Sequence, residues 1–226
     1  MQRVVVVGLG LFGRTVALTL AAAGCDVLAV DRDKDTVQGL ADAAVSVVVR
    51  LDATDRRNLE AHGVRQMDIG VVTISENFEA NVMVAYHLLQ LGVRKVIARV
   101  ATPIQRDIMR AVGVHEVILP EEYAAERLAH RLSNRFLMDH VPLSEETSLD
   151  SIVAPKHFVG RTVADIGLRS KYAVNLISVR KERAGAPAMS AAASVVEVPG
   201  ADYVIEAGDI LVVVGKNENL ATLTRQ

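Results

Sequence analysis

Short runs of β-branched residues alternate with amphipathic stretches through the first 120 residues of this 226-residue chain. Strands that are apolar along their whole length and flanked by helices are typical of a parallel sheet buried on both faces. The alternation therefore predicts a doubly wound parallel Rossmann sheet, of the α/β class. The predicted strands are residues 4–7, 27–30, 45–49, 69–74, 96–100 and 117–118, and the predicted helices are residues 12–23, 33–43, 54–62, 77–91 and 104–112.

The predicted domain boundary follows a further helix at residues 121–138. That helix leads into a polar stretch, residues 139–151, which carries Pro142 and several acids. We therefore expect a Rossmann domain at 1–139 and a smaller, mostly β, α+β domain at 140–226. Its strand signals are Leu143 and residues 175–179, 195–198 and 210–215, with a short helix near 162–168, a flexible loop at 184–193 and a tight turn at Gly208–Asp209.

Composition limits the classes of partner. Half of the residues are apolar and the formal net charge is −2, so nothing favours nucleic acid or an anionic membrane surface. The lone cysteine, Cys25, allows no disulfide within the chain, and a small buried thiol fits a reducing cytoplasm. No apolar run reaches the length of a membrane-spanning helix, and Arg14 interrupts any signal peptide. We expect a soluble cytoplasmic protein.

A glycine-rich motif lies between the first strand and the first helix. Gly8, Gly10 and Gly13 form G-x-G-x-x-G in the setting that phosphate binding requires. The first glycine permits a tight turn, the second lets a phosphate approach the backbone, and the third lets the helix pack on the sheet. Free N–H groups and the helix dipole then favour an anion there.

Asp31 ends the second predicted strand, 18 residues after Gly13. A carboxylate at this place accepts hydrogen bonds from ribose hydroxyls and repels a 2′-phosphate, which favours NAD or an adenine nucleotide over NADP. The alternative is that Asp31 only caps the next helix. Two further candidates also have cap alternatives, Asp52 before the helix at Thr54 and Asn77 before the helix that follows the fourth strand. The remaining predicted contacts near these strand ends are Arg32, Ala53, Thr73 and Ser75.

The sequence offers little that resembles catalytic machinery. A dehydrogenase needs an acid–base group from a second domain, yet His157 is the only histidine after residue 140. No nucleophilic serine motif, Walker A sequence or metal-ligand spacing of histidines is present. A sensor is therefore the favoured function. An NAD-dependent oxidoreductase and a stand-alone redox or nucleotide sensor remain as alternatives.

The order of motifs over nearly the whole chain resembles the RCK family, the regulators of potassium conductance of the KtrA/TrkA type. The motifs that carry the resemblance are GLGLFG at 8–13, VLAVD at 27–31, LDATD at 51–55, VVTISENFEAN at 71–81, VIARV at 96–100, GVHEVILPE at 113–121, LRSKYAVNLISV at 168–179 and VIEAGDILVVVG at 204–215. The resemblance implies a cytosolic regulatory subunit that is not an enzyme. Homodimers, in a tetramer of dimers, would sit under a KtrB/TrkH-like potassium-translocating subunit or a channel and bind ATP, ADP or NAD(H).

The resemblance also implies roles for residues around the glycine loop. Arg99 matches a basic residue that meets phosphates, and Glu121 a carboxylate that helps to hold Mg²⁺ or another divalent cation between nucleotides of a dimer. Glu121 is alternatively a first-turn acid that complements the helix dipole. Leu11, followed by Phe12, stands where relatives commonly carry a phosphate-binding arginine, which leaves Arg14 as a candidate substitute.

In the second domain the resemblance implies a cyclic di-AMP site at a dimer interface. Arg169, Asn175 and Pro199 fall at matching positions, although arginine and asparagine are also ordinary surface residues. The strand at residues 178–180 is alternatively only a dimerisation surface.

Overall fold

Six strands build the first part of the chain. They are β1 (Arg3–Val7), β2 (Asp26–Asp31), β3 (Val47–Arg50), β4 (Ile69–Val72), β5 (Lys95–Arg99) and β6 (Glu116–Ile118). All pair in parallel, in the order β3-β2-β1-β4-β5-β6. The computed structural model describes residues 1–41, 45, 47–133, 137–182 and 194–223.

A helix follows each of these strands. These helices are α1 (Leu11–Ala22), α2 (Lys34–Ala41), α3 (Arg56–Ala61), α4 (Phe78–Gln90), α5 (Pro103–Val112) and α6 (Pro120–Ser133). Polar side chains cap the first turn of α3, α4 and α5. Thr102 caps α5, and its hydroxyl accepts the Gln105 N–H at 3.3 Å. The helix predicted from residue 54 begins at Arg56 instead, because the Asp55 carboxylate accepts the Arg57 N–H at 2.9 Å.

The sheet is buried on both faces, which confirms the doubly wound fold. Along β1, Val5 and Val7 belong to one apolar cluster, and Val4 and Val6 belong to another. The strand order reverses between β1 and β4, so their carboxyl ends flank the crevice where ligands of such sheets bind.

The second part of the chain has an antiparallel sheet of its own. Its strands are β7 (Leu137–Pro142), β8 (Thr147–Val153), β9 (Asn175–Glu182), β10 (Ser194–Glu197) and β11 (Ile210–Lys216), in the order β10-β9-β11-β8-β7. The short helices α7 (Val163–Ile166), α8 (Leu168–Tyr172) and α9 (Asn217–Leu223) accompany it. Gly208 has φ +88° in the turn before β11, as the predicted turn requires. The α+β class of this part is confirmed.

One prediction near the middle of the chain is wrong, since residues 137–138 were expected in a helix and lie in β7. The polar stretch at residues 139–151, which was expected at the domain boundary, forms most of the β7–β8 hairpin. Leu143 lies in the hairpin turn, where its N–H donates to the Thr147 carbonyl at 2.9 Å. Strand β8 was not predicted because several of its buried residues are polar. Asp150 is among them, and its carboxylate lies 2.7 Å from His140 Nδ1.

Contacts divide the chain into the units Met1–Tyr123 and Ala124–Gln226, earlier than the predicted boundary at 139/140. The predicted loop at 184–193 lies outside the described residues, as do parts of the segments predicted at 33–43 and 45–49. Cys25 is half-buried rather than fully buried. None of the helices in the described ranges is long and apolar enough to cross a membrane.

Candidate nucleotide-binding site

Close packing shapes the glycine loop at the end of β1. Gly8 has φ +95°, and its N–H donates to the Val30 carbonyl at 2.9 Å. A Cβ atom on Gly13 would lie 1.9 Å from the Gly8 carbonyl oxygen and 2.4 Å from Thr73 Oγ1. The start of α1 therefore rests directly on the loop, and a side chain at residue 13 would separate them.

Gly10 differs from its neighbours because the space around it is open. A Cβ atom added there would meet nothing within 4 Å. Gly10 caps α1 without a side chain, and the first turn of α1 contains no acid. The positive end of the helix dipole and its unpaired N–H groups therefore face an open position, which suits a phosphate.

Asp31 is bonded to the loop itself. Its Oδ2 accepts the Leu9 N–H at 2.6 Å, and its Oδ1 accepts the Asp33 N–H at 2.9 Å. An ionised carboxylate has about four acceptor positions, so capacity remains for sugar hydroxyls. Asp33 rather than Asp31 accepts the Thr36 N–H at the start of α2, at 2.7 Å. The structure therefore excludes the alternative that Asp31 is only a helix cap.

Asp52 is held by the residue two positions later. Its Oδ1 accepts the N–H of Thr54 at 3.0 Å and the hydroxyl of Thr54 at 2.6 Å, and these bonds hold the pKa of Asp52 below its usual range. The positive charge of Arg32 adds a smaller effect of the same sign. Since Asp55 caps α3, the cap alternative for Asp52 is wrong. Arg32 is exposed and Ala53 is buried, and contact of these residues with a nucleotide stays a prediction.

Thr73 was predicted to contact ligand, but the structure shows it supporting the loop. Its side chain is buried, and its hydroxyl donates to the Gly8 carbonyl at 2.5 Å. Ser75 is exposed at the same edge. The Oδ1 atom of Asn77 accepts the Ala80 N–H at 3.0 Å, so Asn77 caps α4. The alternative that this residue is a helix cap is confirmed.

We expect Asn77→Ala to lower the free energy of unfolding by about 1 kcal/mol, the usual cost of losing an N-cap. The affinity for NADH should stay within about twofold, as for a substitution away from the ligand. Urea denaturation and isothermal titration measure the two quantities. Asn77→Asp, which keeps the cap, is the control, and an affinity loss in Asn77→Ala alone would reassign this residue to the ligand.

Arg99 connects several parts of the site. It ends β5, its guanidinium lies 5.7 Å from the centre of the Phe12 ring, and Nη2 bonds to the Glu121 carboxylate. The backbone N–H of Glu121 and, with a smaller effect, the guanidinium of Arg99 donate hydrogen bonds to the Glu121 carboxylate. These bonds hold the pKa of Glu121 below its usual range. Glu121 is therefore ionised at neutral pH. In the described part of the chain, no group of three or more His, Cys, Asp or Glu side chains is placed to hold a metal ion.

Leu11 and Arg14 occupy different surroundings at the start of α1. Leu11 is 88% exposed, an unusual place for a large apolar side chain. Arg14 donates from Nη2 to the Gly39 carbonyl at 3.2 Å, so its guanidinium faces α2. The structure therefore does not place Arg14 as the substitute for the arginine that Leu11 replaces.

The structure does not join the residues predicted for cyclic di-AMP. Arg169 is exposed in α8, Asn175 is exposed at the start of β9, and Pro199 is half-buried after β10. No hydrogen bond links any two of these residues in the described ranges. Strand β9 lies between β10 and β11, and both Val179 and Arg180 pair with each of these neighbours. A role of residues 178–180 as a dimerisation surface stays a prediction.

Sequence reasoning missed Asn81, which lies in a cleft at the carboxyl ends of β4 and β5. The cleft is narrow, with about 10 Å³ of room for a water-sized group. Asn81 is 1% exposed, and its Nδ2 donates to the carbonyls of Ile74 at 2.9 Å and Arg99 at 2.7 Å. A signal was present, because this amide occupies the spacing of the buried residues of α4, which are Asn81, Val84, Ala85 and Leu88.

Known proteins share both the sequence and the fold. The TrkA-N domain model matches residues 4–120, and the TrkA-C domain model matches residues 150–226. Ktr system potassium uptake protein C of Bacillus subtilis is 30% identical over 98% of this chain and 95% of its own length. Protein A of the same system and organism is 24% identical over 95% of this chain and 92% of its own.

The crystal structure of the GsuK RCK domain covers 100% of this chain with a TM-score of 0.68 and 20% identity, and this chain spans 48% of that one. The GsuK channel bound to NAD covers 98% at a TM-score of 0.65 and 21% identity, and this chain spans 38% of it. These likenesses show the fold. The domain matches and the relative at 30% identity establish that the chain belongs to the TrkA-N/TrkA-C domain family, which includes the Ktr potassium uptake proteins.

Proposed function

We propose that this chain is a nucleotide-sensing regulatory subunit that gates a membrane potassium transporter or channel. The observation that carries the proposal is the open position at Gly10, at the positive end of α1, beside the Asp31 carboxylate. A phosphate fits the first feature and a ribose fits the second. Relatives at nearly full length are named potassium uptake proteins, which supports the transport role.

The resident ligand in this proposal is an adenine nucleotide, ATP or ADP, or NAD(H). Asp31 disfavours a 2′-phosphate through like-charge repulsion, so NADP fits poorly. The GsuK channel, a solved relative of the fold, is bound to NAD, and another, a Kef C-terminal domain of Shewanella denitrificans with a TM-score of 0.50 and 20% identity, is in an AMP-bound form. That second structure covers 58% of this chain, and this chain covers 82% of it.

The proposed mechanism is a shift between shapes of an oligomer, without turnover. We infer homodimers, assembled as a tetramer of dimers on the cytoplasmic face of the membrane, in contact with a potassium-translocating subunit. A nucleotide changes the balance between two shapes only by its difference in affinity for them. Arg99 is suited to supply that difference, because its guanidinium pairs with Glu121 and is also able to pair with a phosphate.

Thermal melts of the native chain with ATP, ADP, NADH and cyclic di-AMP test the proposal. A ligand at 100 times its dissociation constant should stabilise the folded chain by about 2.7 kcal/mol. NADH should not be consumed during long incubation. Four curves identical to the ligand-free melt would contradict nucleotide sensing, and steady oxidation of NADH would favour an oxidoreductase.

A divalent cation such as Mg²⁺ between nucleotides of a dimer would use Glu121. We expect Glu121→Gln to raise ADP affinity several-fold in EDTA, since it frees Arg99 and removes a negative charge beside the phosphate; one charge-assisted bond is worth about 1.5–3 kcal/mol. Mg²⁺ should strengthen ADP binding by the native chain and not by the variant. Titration calorimetry measures both effects.

Glu122→Gln is the matched control, because the neighbouring carboxylate pairs with Arg106 instead. It should behave as the native chain does. An equal gain from Mg²⁺ in all three proteins would show that Glu121 does not hold the cation.

Cyclic di-AMP is a second proposed ligand, bound in the C-terminal unit by Arg169, Asn175 and Pro199. The exposure of the first two residues leaves their polar groups available to a phosphate and an adenine edge. If cyclic di-AMP stabilises the native chain, Arg169→Ala should remove that shift and leave the ADP shift in place.

A further inference from the structure

Two buried polar atoms of the cleft at the carboxyl ends of β4 and β5 have no hydrogen-bond partner among the residues that the structure describes. They are the acceptor Oδ1 of Asn81 and the donor Nε of Arg99. The orientation of the Asn81 amide follows from its surroundings, since both groups beside Nδ2 are carbonyls, which only accept. Buried polar groups are nearly always paired, so this combination requires an explanation.

The cleft adjoins the glycine loop. A Cβ atom on Gly8 would lie 3.0 Å from the Ile74 backbone nitrogen, and Ile74 lines the cleft. Arg99 lines the cleft too, and its guanidinium lies over Phe12 at the start of α1. In a doubly wound sheet the half from β4 to β6 receives the second part of a dinucleotide. A ligand whose phosphate lies at Gly10 therefore has its far end near this cleft.

We propose that the cleft binds a neutral group of the nucleotide beyond its phosphates, a group that both donates and accepts a hydrogen bond. Its N–H or O–H donates to Asn81 Oδ1, and its oxygen accepts from Arg99 Nε. A primary carboxamide has both functions, and so does a sugar hydroxyl. A carboxylate or phosphate has no donor for Oδ1. The inference rests on the proposed nucleotide binding and makes Asn81 a determinant of selectivity between NAD(H) and ADP.

The unmet hydrogen bonds are the reason to expect selectivity. Both atoms are shielded from solvent, so a ligand that reaches them supplies partners that no described protein group supplies. ADP ends at its phosphates and offers no such group. NADH has a second ribose and a carboxamide. We expect the lining side chains, which include Phe78 and Gln105, to part as the group enters.

Titration of the native chain and of Asn81→Ala with four ligands tests the inference. The ligands are NADH, its analogue with acetyl in place of the carboxamide, ADP-ribose and ADP. If the carboxamide is bound, the native chain should bind the acetyl analogue about tenfold more weakly than NADH, and Asn81→Ala should remove that difference. If a ribose hydroxyl is bound, Asn81→Ala should weaken NADH, the analogue and ADP-ribose alike. In both cases ADP affinity should not change.

The comparison of NADH with its analogue needs no variant, so it remains decisive if loss of the Asn81 bonds to Ile74 and Arg99 prevents folding. With a folded variant, equal losses for NADH and ADP, or no loss for any ligand, would overturn the inference. In the native chain alone, NADH, the analogue and ADP-ribose all binding no more tightly than ADP would overturn it too. If the native chain bound none of the four ligands and did not bind ATP either, the proposed function itself would fail.

Discussion

Asp31→Ala should weaken ADP and NADH binding about a hundredfold, equivalent to about 2.7 kcal/mol. Hydrogen bonds to a charged group contribute about 1.5–3 kcal/mol each, and the variant loses those from the ribose hydroxyls. It also frees the Leu9 N–H, which the carboxylate accepts at 2.6 Å, so the loop loses its position. Isothermal titration, carried out well below the melting temperature of the variant, measures the affinity.

The control is Asp35→Ala, which removes the same charge from the first turn of α2. Its affinity should lie within about twofold of the native value, as for an ordinary surface substitution. Asp31→Asn adds a test of specificity, because it removes the charge that repels a 2′-phosphate and should narrow the preference for NADH over NADPH. ADP binding by Asp31→Ala at native strength would contradict the assignment of the ribose to this carboxylate.

Gly13→Ala should lower the free energy of unfolding by about 3 kcal/mol, at the upper end of the usual cost of overpacking. The added methyl group would lie 1.9 Å from the Gly8 carbonyl oxygen, which belongs to the backbone and cannot rotate away. Relief therefore requires α1 to move off the loop. Guanidinium denaturation followed by circular dichroism gives the change in stability.

Gly10→Ala is the matched variant with the opposite expected effect. Gly10 has φ −58° and ψ −178°, which alanine also adopts, and open space surrounds it. Stability should change by less than about 1 kcal/mol. ADP affinity should fall by about tenfold or more, since the methyl group occupies the position of the phosphate. If Gly10→Ala bound ADP normally, or if Gly13→Ala were as stable as the native chain, the account of this loop would be wrong.

The parallel sheet was predictable because the apolar composition of its strands indicates that they are buried. Strand β1 is apolar at four consecutive positions and buried on both faces, so its sequence alone indicates its place. Strand β8 has the reverse property. Ser148, Asp150 and Ser151 are buried in it, and the pairing of Asp150 with His140 accounts for the acid among them. That pairing is a long-range contact that local pattern does not reveal.

In the candidate site, too, features that depend on local spacing were predictable, and contacts between residues far apart in the chain were not. The glycine loop and Asp31 were predictable from spacing, because each glycine meets a local geometric demand. The bond between Asp31 and the Leu9 N–H joins residues on different strand ends, and the ion pair of Arg99 with Glu121 spans 22 positions. Thr73 and Asn77 were placed at the correct edge, but only the structure shows that they hold the backbone.

In the function proposed above, Arg99 is the side chain that couples nucleotide binding to the change in oligomer shape. Its guanidinium contacts Glu121, at the start of α6, and Phe12, at the start of α1, while its Nε lines the cleft beside Asn81. A nucleotide phosphate that attracts this side chain would weaken its bond to Glu121. In the proposed sensor, the start of α6 would therefore respond to a nucleotide in the crevice.

A crystal structure of the chain grown with ADP tests the central claim most directly. We predict a phosphate at about 2.7–3.2 Å from backbone N–H groups at the start of α1, with ribose hydroxyls bonded to Asp31 at similar distances. A nucleotide bound elsewhere, or a crevice at the glycine loop that stays empty at saturating ADP, would contradict the account.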